Sequence, residues 1–305
     1  MEMISGIIPL NKPVGMTSFD CVSRIRHLYN QKRVGHSGTL DPNVNGVLPI
    51  CLGYATKLVD NLMATGKIYQ GAITLGFATT TEDLDGTIIA TDFDFKPLTD
   101  QQINNGLQHF LGDTIQIPPM YSAVKVKGRR LYDYARHGET VERPRRQIKI
   151  TNFQQRCASW IDPISKTQTI YFTVHCSKGT YVRTLAVDFG KYFGVPAVMT
   201  QLTRMMSGGF TLAETVTLEE LEQAAQTGQL AEKIQPLGRA LQGLPTRELT
   251  ASQFERVQHG GFLDARELAS QKPILVLRYN NEDRATYHLD QSKQQYRPEK
   301  MFRLN

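Results

Sequence analysis

The order in which strand and helix signals follow one another constrains this chain more than any other feature of its sequence. SGIIPLNKPVGMTS reads as a short apolar strand running into a Pro/Gly turn. Ser18 stands at an N-cap position ahead of FDCVSRIRHLYN, where Phe19, Val22, Ile25 and Leu28 repeat at helical spacing and leave Arg24 and Arg26 off the stripe. Residues 33–49 form a turn-rich loop, a helix covers TKLVDNLMAT, and the alternating, β-branched KIYQGAITLGFAT is a strand. After the polar stretch TTTEDLDGTIIATDFD come the helix TDQQINNGLQHFLGD, the strand TIQI and a break at Pro118–Pro119. Strands near 146–158 and 167–177 bracket the turn WIDPISK, and SKGTYVRTLAVDFGKYFG passes from strand through turn to helix. No regular βαβ rhythm runs through this series, so the expected class is α+β with a mixed or antiparallel sheet.

A boundary is expected at QGLPTREL, dividing residues 1–240 from 241–305. Beyond it lie one helix, TASQFERVQHGG, and the strands PILVLRYN, RATYHLD and MFRL, a small β-rich module. The 305 residues are 40% hydrophobic and 21% charged, which fits a globular chain and excludes disordered and fibrous classes. No apolar run reaches membrane-spanning length, and MEMISGIIPLNKP has no basic segment followed by a long apolar core, so a cytoplasmic location is expected. Cys21, Cys51, Cys157 and Cys176 are scattered without a C-x-x-C pair, which predicts reduced thiols and no structural zinc.

The net charge of +6 is localised. Nine Lys/Arg (125, 127, 129, 130, 136, 143, 145, 146, 149) face three acids (Asp133, Glu139, Glu142) between Lys125 and Lys149, an excess that equals the net charge of the whole chain. Such a block is either a footprint for a polyanion or a solvated basic loop.

Asp41-Pro-Asn-Val-Asn-Gly46 matches the opening of a calcium loop, D-x-[DN]-x-[DN]-G, but position 12 is Leu52 where a bidentate Glu is needed, and position 9 is Pro49. Two readings remain from the residues alone. Asp41 and its Asn and Gly neighbours supply turn geometry, or Asp41 is a reagent in a loop whose glycines (35, 38, 46) and prolines (42, 49) let another molecule approach the backbone. A lone carboxylate suits a nucleophile or general base if a cation keeps it ionised, and Arg183 in GTYVRTL is the candidate cation.

GHSGTLDPNVNGVLPI resembles the signature loop of the TruB family of tRNA pseudouridine synthases, with Asp41 at the place of the catalytic aspartate. NKPVGMTS, KIYQG at 67–71 and GTYVRTLAVDFG at 179–190 match further family segments in order, and PPMYSAVKVKGRRLYDYARHGE resembles the family's RNA-gripping insertion, about 119–149. The resemblance spans roughly residues 3–215. It implies an isomerase that converts the T-loop uridine at tRNA position 55 to pseudouridine without a cofactor or metal. Asp41 would act as nucleophile or as base. Arg183 would pair with it, Tyr69 would stack on the flipped uracil, and His36 would fill the stack the uridine leaves. Leu202 and Arg204 match the family and carry over as substrate contacts, Leu202 as an apolar wall, whereas Thr203 departs from the usual Leu-Arg-Arg run. Lys12 and Lys67 would contact phosphate or support the loop. Lys125, Lys127, Arg129, Arg130 and Arg136 would clamp the T-stem, and residues 241–305 would form a PUA-like RNA-binding module. The implied partner is the tRNA T-arm, bound by a monomer with no obligatory protein partner. A tRNA-binding or folding module with incidental catalysis, and a guide-RNA-dependent relative, are the competing readings.

Overall fold

A computed structural model describes residues 3–302. One large mixed sheet organises the chain up to about residue 211. Its strands are β1 (Gly6–Lys12), β2 (Val34–His36), β3 (Asn45–Leu52), β4 (Lys67–Leu75), β7 (Gly112–Gln116), β10 (Arg146–Gln155), β11 (Trp160–Ile161), β12 (Gln168–Cys176), β13 (Ala197–Ser207) and β14 (Phe210–Thr211). The spatial order is β1-β3-β13-β4-β12-β10-β7, with β2 on β3, β11 on β12 and β14 on β13. Every pair is antiparallel except β3 with β13, which agrees with the expected α+β class. Two small hairpins stand apart from it: β5 (Phe77–Thr79) with β6 (Ile88–Thr91), and β8 (Lys125–Val126) with β9 (Arg129–Arg130).

Helices α1 (Ser18–Leu28), α3 (Asp100–His109), α5 (Val182–Phe193) and α6 (Leu218–Gln226) lay apolar stripes on one face of the large sheet. Cys21, Val22 and Ile25, Ile103 and Leu107, Leu185 and Phe189, and Leu221 join Ile8, Leu48, Ile73, Phe153 and Phe172 in one core. The other face is covered at one end by the turn and helix that contain Ala55 and Leu62, α2 (Val59–Ala64), packed on Ile7, Val47, Cys51 and Phe210.

Residues 246–301 carry a second, five-stranded sheet in the order β15-β17-β18-β19-β16: β15 (Thr246–Glu248), β16 (Leu263–Asp264), β17 (Ile274–Tyr279), β18 (Glu282–Asp290) and β19 (Gln295–Met301). With α7 (Ala251–Gln258) it encloses its own core of Leu249, Val257, Leu275, Leu277, Tyr287 and Tyr296. Leu58, Leu241, Val276 and Phe302 join this sheet to the first body, as do bonds from Lys57 Nζ to Met301 O (2.6 Å) and from Lys300 Nζ to Asn61 Oδ1 (2.5 Å).

The structure corrects several sequence expectations. Thr17, not Ser18, caps α1: the Asp20 N–H donates to Thr17 Oγ1 at 3.1 Å and the Thr17 N–H to Asp20 Oδ2 at 2.9 Å, a capping box. Ser18 is buried instead, and Phe19 lies on the solvent side, 62% exposed. The turn-rich stretch 33–49 contains β2 and most of β3, leaving residues 37–44 as the loop. The polar stretch after β4 folds back as β6, and β13, the longest strand, follows α5 where no strand was expected. Of MFRL, Met301 ends β19 and Arg303 and Leu304 lie outside the described residues. Among the described residues no helix is long and apolar enough to cross a membrane. All four cysteines are free, and only Cys157 is exposed.

Candidate active site

The loop 37–44 fills a fork in the large sheet. Strand β3 pairs with β13 only at Asn45 and Gly46, and from Ile50 to Leu52 it pairs with β2 instead. Gly46 sits at φ +111°, and a Cβ there would come within 2.3 Å of the Arg204 carbonyl oxygen, so this close crossing admits only glycine. Below the fork, fully buried Arg204 on β13 donates to Val47 O (2.7 Å), Gly38 O (3.1 Å) and Thr39 O (3.4 Å), acceptors that the parting strands leave without sheet partners. Thr203, the departure from the family run, bonds Asn45 Oδ1 at 2.6 Å across the same crossing.

Three further anchors fix the residues on either side of Asp41. Buried Ser18 accepts from the Leu40 N–H (2.9 Å) and donates to Leu40 O (3.2 Å). The Gly15 N–H donates to Pro42 O at 2.9 Å. Lys12 has no solvent exposure and spends its ammonium on the carbonyls of Met16 (2.6 Å), Pro13 (2.8 Å) and Pro42 (3.1 Å). In this structure Lys12 supports the loop, one of the two roles expected for it. The Arg204 guanidinium likewise holds backbone, and it lies in the lining of the cleft around Asp41.

Arg183 enters from the first turn of α5, 142 residues along the chain. Its Nε lies 3.0 Å from Asp41 Oδ2 and its Nη2 3.3 Å from Asp41 Oδ1, a two-point grip. The same guanidinium donates to Thr81 O (2.8 Å) and Tyr121 O (2.9 Å), and Asp83 Oδ2 lies 3.5 Å from Nε. Its side chain is 6% exposed while that of Asp41 is 40% exposed, so the arginine forms the wall and the carboxylate faces the opening. Burial pushes the Asp41 carboxyl above its ordinary range; Arg183 pulls it down and Asp83 pushes it further up. The cation offsets the cost of burying the anion without cancelling it.

Asp41, Arg183, Tyr69 and Leu202 line one cleft of about 250 Å³ together with Lys67 and Ser122. Tyr69 is 7% exposed on β4, and burial raises its hydroxyl pKa despite the nearby Arg204. Lys67 bonds Met63 O (3.1 Å) and Thr65 O (3.3 Å), and burial, with Arg204 adding repulsion, depresses its ammonium to about 8. His36 is not part of this lining. It is half-buried on β2, with Nδ1 unbonded and burial lowering its pKa.

The basic residues divide into two kinds. Lys125, Lys127 and Arg136 are exposed, on β8, the hairpin turn and α4 (Leu131–Arg136). Arg130 is exposed and bonds Tyr132 Oη at 2.8 Å. Arg129 is committed internally, to Glu139 (2.8 and 2.9 Å), Asp133 O (2.8 Å) and His137 Nδ1 (2.9 Å), over the Tyr134 ring. It organises the insertion more than it offers a free charge.

Sequence reasoning missed Arg146 and Lys178 in the cleft lining, and Asp83, Glu82 and Ser18 behind it. Asp83 and Asp85, with Asp41, line a second opening of about 190 Å³; their carboxylate spacing in TEDLDG was the available signal. Tyr121 acts through its carbonyl and leaves no trace in sequence. Among the described residues no three His, Cys, Asp or Glu side chains are grouped so as to hold a metal.

The family model for the N-terminal domain of TruB family pseudouridylate synthases matches residues 26–182, and that for the tRNA pseudouridylate synthase B C-terminal domain matches 183–242. The tRNA pseudouridine synthase B of Lactiplantibacillus plantarum is 57% identical, covering 99% of this chain and 100% of its own. That of Pediococcus pentosaceus is 56% identical over 98% of this chain and 99% of its own. Among solved structures, a chain of a Cbf5-Nop10-Gar1 complex superposes with a TM-score of 0.73 at 25% identity, over 98% of this chain and 85% of that one. With motif order, sheet topology and near full-length similarity in agreement, the chain belongs to the TruB family of pseudouridylate synthases.

Proposed function

We propose that this chain isomerises the T-loop uridine of tRNA, position 55, to pseudouridine, with Asp41 as the reacting carboxylate. The observation that carries this reading is the Asp41 carboxylate, gripped at two points by Arg183 yet open to a cleft shared with Tyr69. The reaction breaks the N1–C1′ bond, turns the uracil, and joins C5 to C1′ while the C5 proton leaves and N1 gains one. Atoms and electrons balance within the nucleoside, so no redox partner or energy source enters.

Asp41 either attacks C1′ or takes a proton from C2′, and both routes need the same ionised oxygen against the sugar. Arg183 holds that oxygen in place and stabilises its charge. Tyr69 offers a ring face to the uracil and Leu202 an apolar wall. A base held in a folded loop has to be extruded first, at a cost of a few kcal/mol, and His36 would then move toward the vacated stack. The exposed Lys125, Lys127, Arg130 and Arg136 grip T-stem phosphates. In this reading residues 1–240 form the catalytic domain, with the insertion at about 119–149, and 241–305 a PUA-like RNA-binding module. The enzyme works as a cytoplasmic monomer without an obligatory protein partner. A guide-RNA-dependent mode has the Cbf5 likeness in its favour, but relatives at 56–57% identity over nearly the whole chain, each named tRNA pseudouridine synthase B, favour direct action on tRNA.

The test maps pseudouridine by chemical adduct and primer extension on an unmodified tRNA transcript. A single stop at position 55 with wild type, and none with Asp41→Ala, is expected. Activity that appeared only on adding a guide RNA and partner proteins would overturn direct action.

A further inference from the structure

Next to the arginine that grips Asp41 lies a residue in an unusual backbone state. Glu82 has φ +67°, in the left-handed region that side chains other than Gly, Asn and Asp seldom adopt. Such strain persists only where surrounding contacts enforce it, and three do. The Glu82 carboxylate Oε2 accepts from Thr184 Oγ1 at 2.6 Å, the residue after Arg183 in the first turn of α5. The Glu82 carbonyl accepts from the Met199 N–H at 3.1 Å, and Asp83 bridges to Met199 of β13. Its neighbours on both sides serve Arg183: Thr81 O accepts from Nη1 at 2.8 Å, and Asp83 Oδ2 lies 3.5 Å from Nε. Asp83 is itself held, its Oδ1 bonded by Thr81 Oγ1 at 2.5 Å and by the Asp85 N–H at 3.1 Å.

Resting on the pseudouridine reading above, we propose that Glu82 is a positioning residue of the reaction: its side chain ties the Thr81–Asp83 segment to the head of α5, setting Arg183 at the distance and angle that orient Asp41. The geometry gives the tie a direct route. Thr184 and Arg183 are adjacent on one rigid turn, and Glu82 is the sequence neighbour of two of the groups that receive the guanidinium, Thr81 and Asp83. If the tie is cut, the segment can relax its left-handed residue, and Thr81 O and Asp83 move away from Arg183. Asp41 then keeps its charge partner but loses its fixed aim. Glu82 touches neither cleft, so binding of tRNA is left alone.

The experiment measures single-turnover pseudouridine formation and tRNA affinity for wild type, Glu82→Ala, Glu82→Gly, Glu82→Gln and Thr184→Val, with thermal unfolding of each. The expected result is a loss of about tenfold to a hundredfold in the turnover step for Glu82→Ala at unchanged affinity, since misplaced reacting groups cost rate and not binding. Glu82→Gly, which relaxes the strain but carries no tie, loses rate like Glu82→Ala. Glu82→Gln keeps an oxygen acceptor for Thr184 and recovers most of the rate. Thr184→Val matches Glu82→Ala, and the double variant is no slower than either alone, because both remove one bond. Glu82→Ala turning over at the wild-type rate would overturn the role, and so would a loss that follows affinity or unfolding temperature and is not restored by Glu82→Gln. A wild-type protein inert on tRNA would overturn the activity and the role together, which separates the two failures.

Discussion

Asp41 shares its arginine with a second carboxylate, and this arrangement makes the site's pH response separable by mutation. Burial raises the Asp41 pKa, Arg183 lowers it, and Asp83 raises it. In the proposed reaction Asp41 acts as the anion, so activity falls as pH drops through that pKa. Replacing Asp83 by Asn removes a raising cause, so the acid limb of the single-turnover pH profile moves to lower pH. Replacing Arg183 by Met removes the lowering cause, so the limb moves to higher pH and the plateau itself drops, on the order of a hundredfold or more for a buried charge left without its partner. Limbs that moved together, or stayed fixed, would mean that another group controls ionisation. Lys67 gives a stability test with its own sign. Its folded pKa, about 8, is below the ordinary lysine value of 10.5, so the native state bears the cost of a buried ammonium below pH 8. Between about pH 8 and 10.5 the native form sheds that proton while the unfolded chain keeps it, and stability gains relative to Lys67→Met, which lacks this titration. Denaturant midpoints of both proteins across that range check it.

At the scale of elements, legibility followed the local signal. Strand β4, helix α5 and the β17–β18 hairpin carry plain periodicity or turn chemistry and stand where the sequence placed them. Strand β13 carried a broken signal: Ala197, Val198 and Met199 are buried and apolar, but Thr203 and Gln201 interrupt the alternation after them, and the later buried positions are Arg204, which serves the fork in the sheet, and Ser207. Ser18 and Thr17 are both good caps by chemistry, and only the demand of Leu40 for a buried partner decides between them. The cleft was readable where a side chain lines it, as with Asp41, Tyr69 and Arg183, and unreadable where a backbone carbonyl holds a lining group, as Thr81 and Tyr121 hold Arg183. Charge counting likewise overstated the insertion, since it treats Arg129 as equal to Lys127. Each of Lys125→Ala and Lys127→Ala should reduce the slope of log affinity against log salt by about one, at unchanged single-turnover rate. Arg129→Ala should instead unfasten Glu139, His137 and the Tyr134 ring from the hairpin. It is expected to increase hydrogen exchange or proteolysis within residues 125–139 more than its single charge predicts. Equal effects from all three substitutions would return Arg129 to the free-charge class.

Among the described residues the two large sheets keep separate cores and are joined by an apolar contact and by bonds from Lys57 and Lys300. Leu58 from the first body and Leu241 from the connecting segment meet Val276 and Phe302 of the second sheet, and Phe302 is 2% exposed although it lies at the end of the described chain. Each sheet has its own core beside this joint, so the joint can be weakened without opening either core. Phe302→Ala removes the largest of these four side chains and should cost about 3–5 kcal/mol of the contact between the bodies. That loss falls on docking and not on either core, so calorimetry should resolve the single unfolding transition into two, with residues 246–301 melting first. If the second sheet also holds RNA, as the PUA-like reading requires, the same variant should bind full-length tRNA more weakly and yet turn over an isolated T-arm hairpin at the wild-type rate. A variant that bound and melted as wild type would show that the joint carries no load. One that lost the T-arm rate would show that the second sheet supports the cleft itself, through Lys57, just before α2, and Asn61, within α2, next to the Lys67 end of β4.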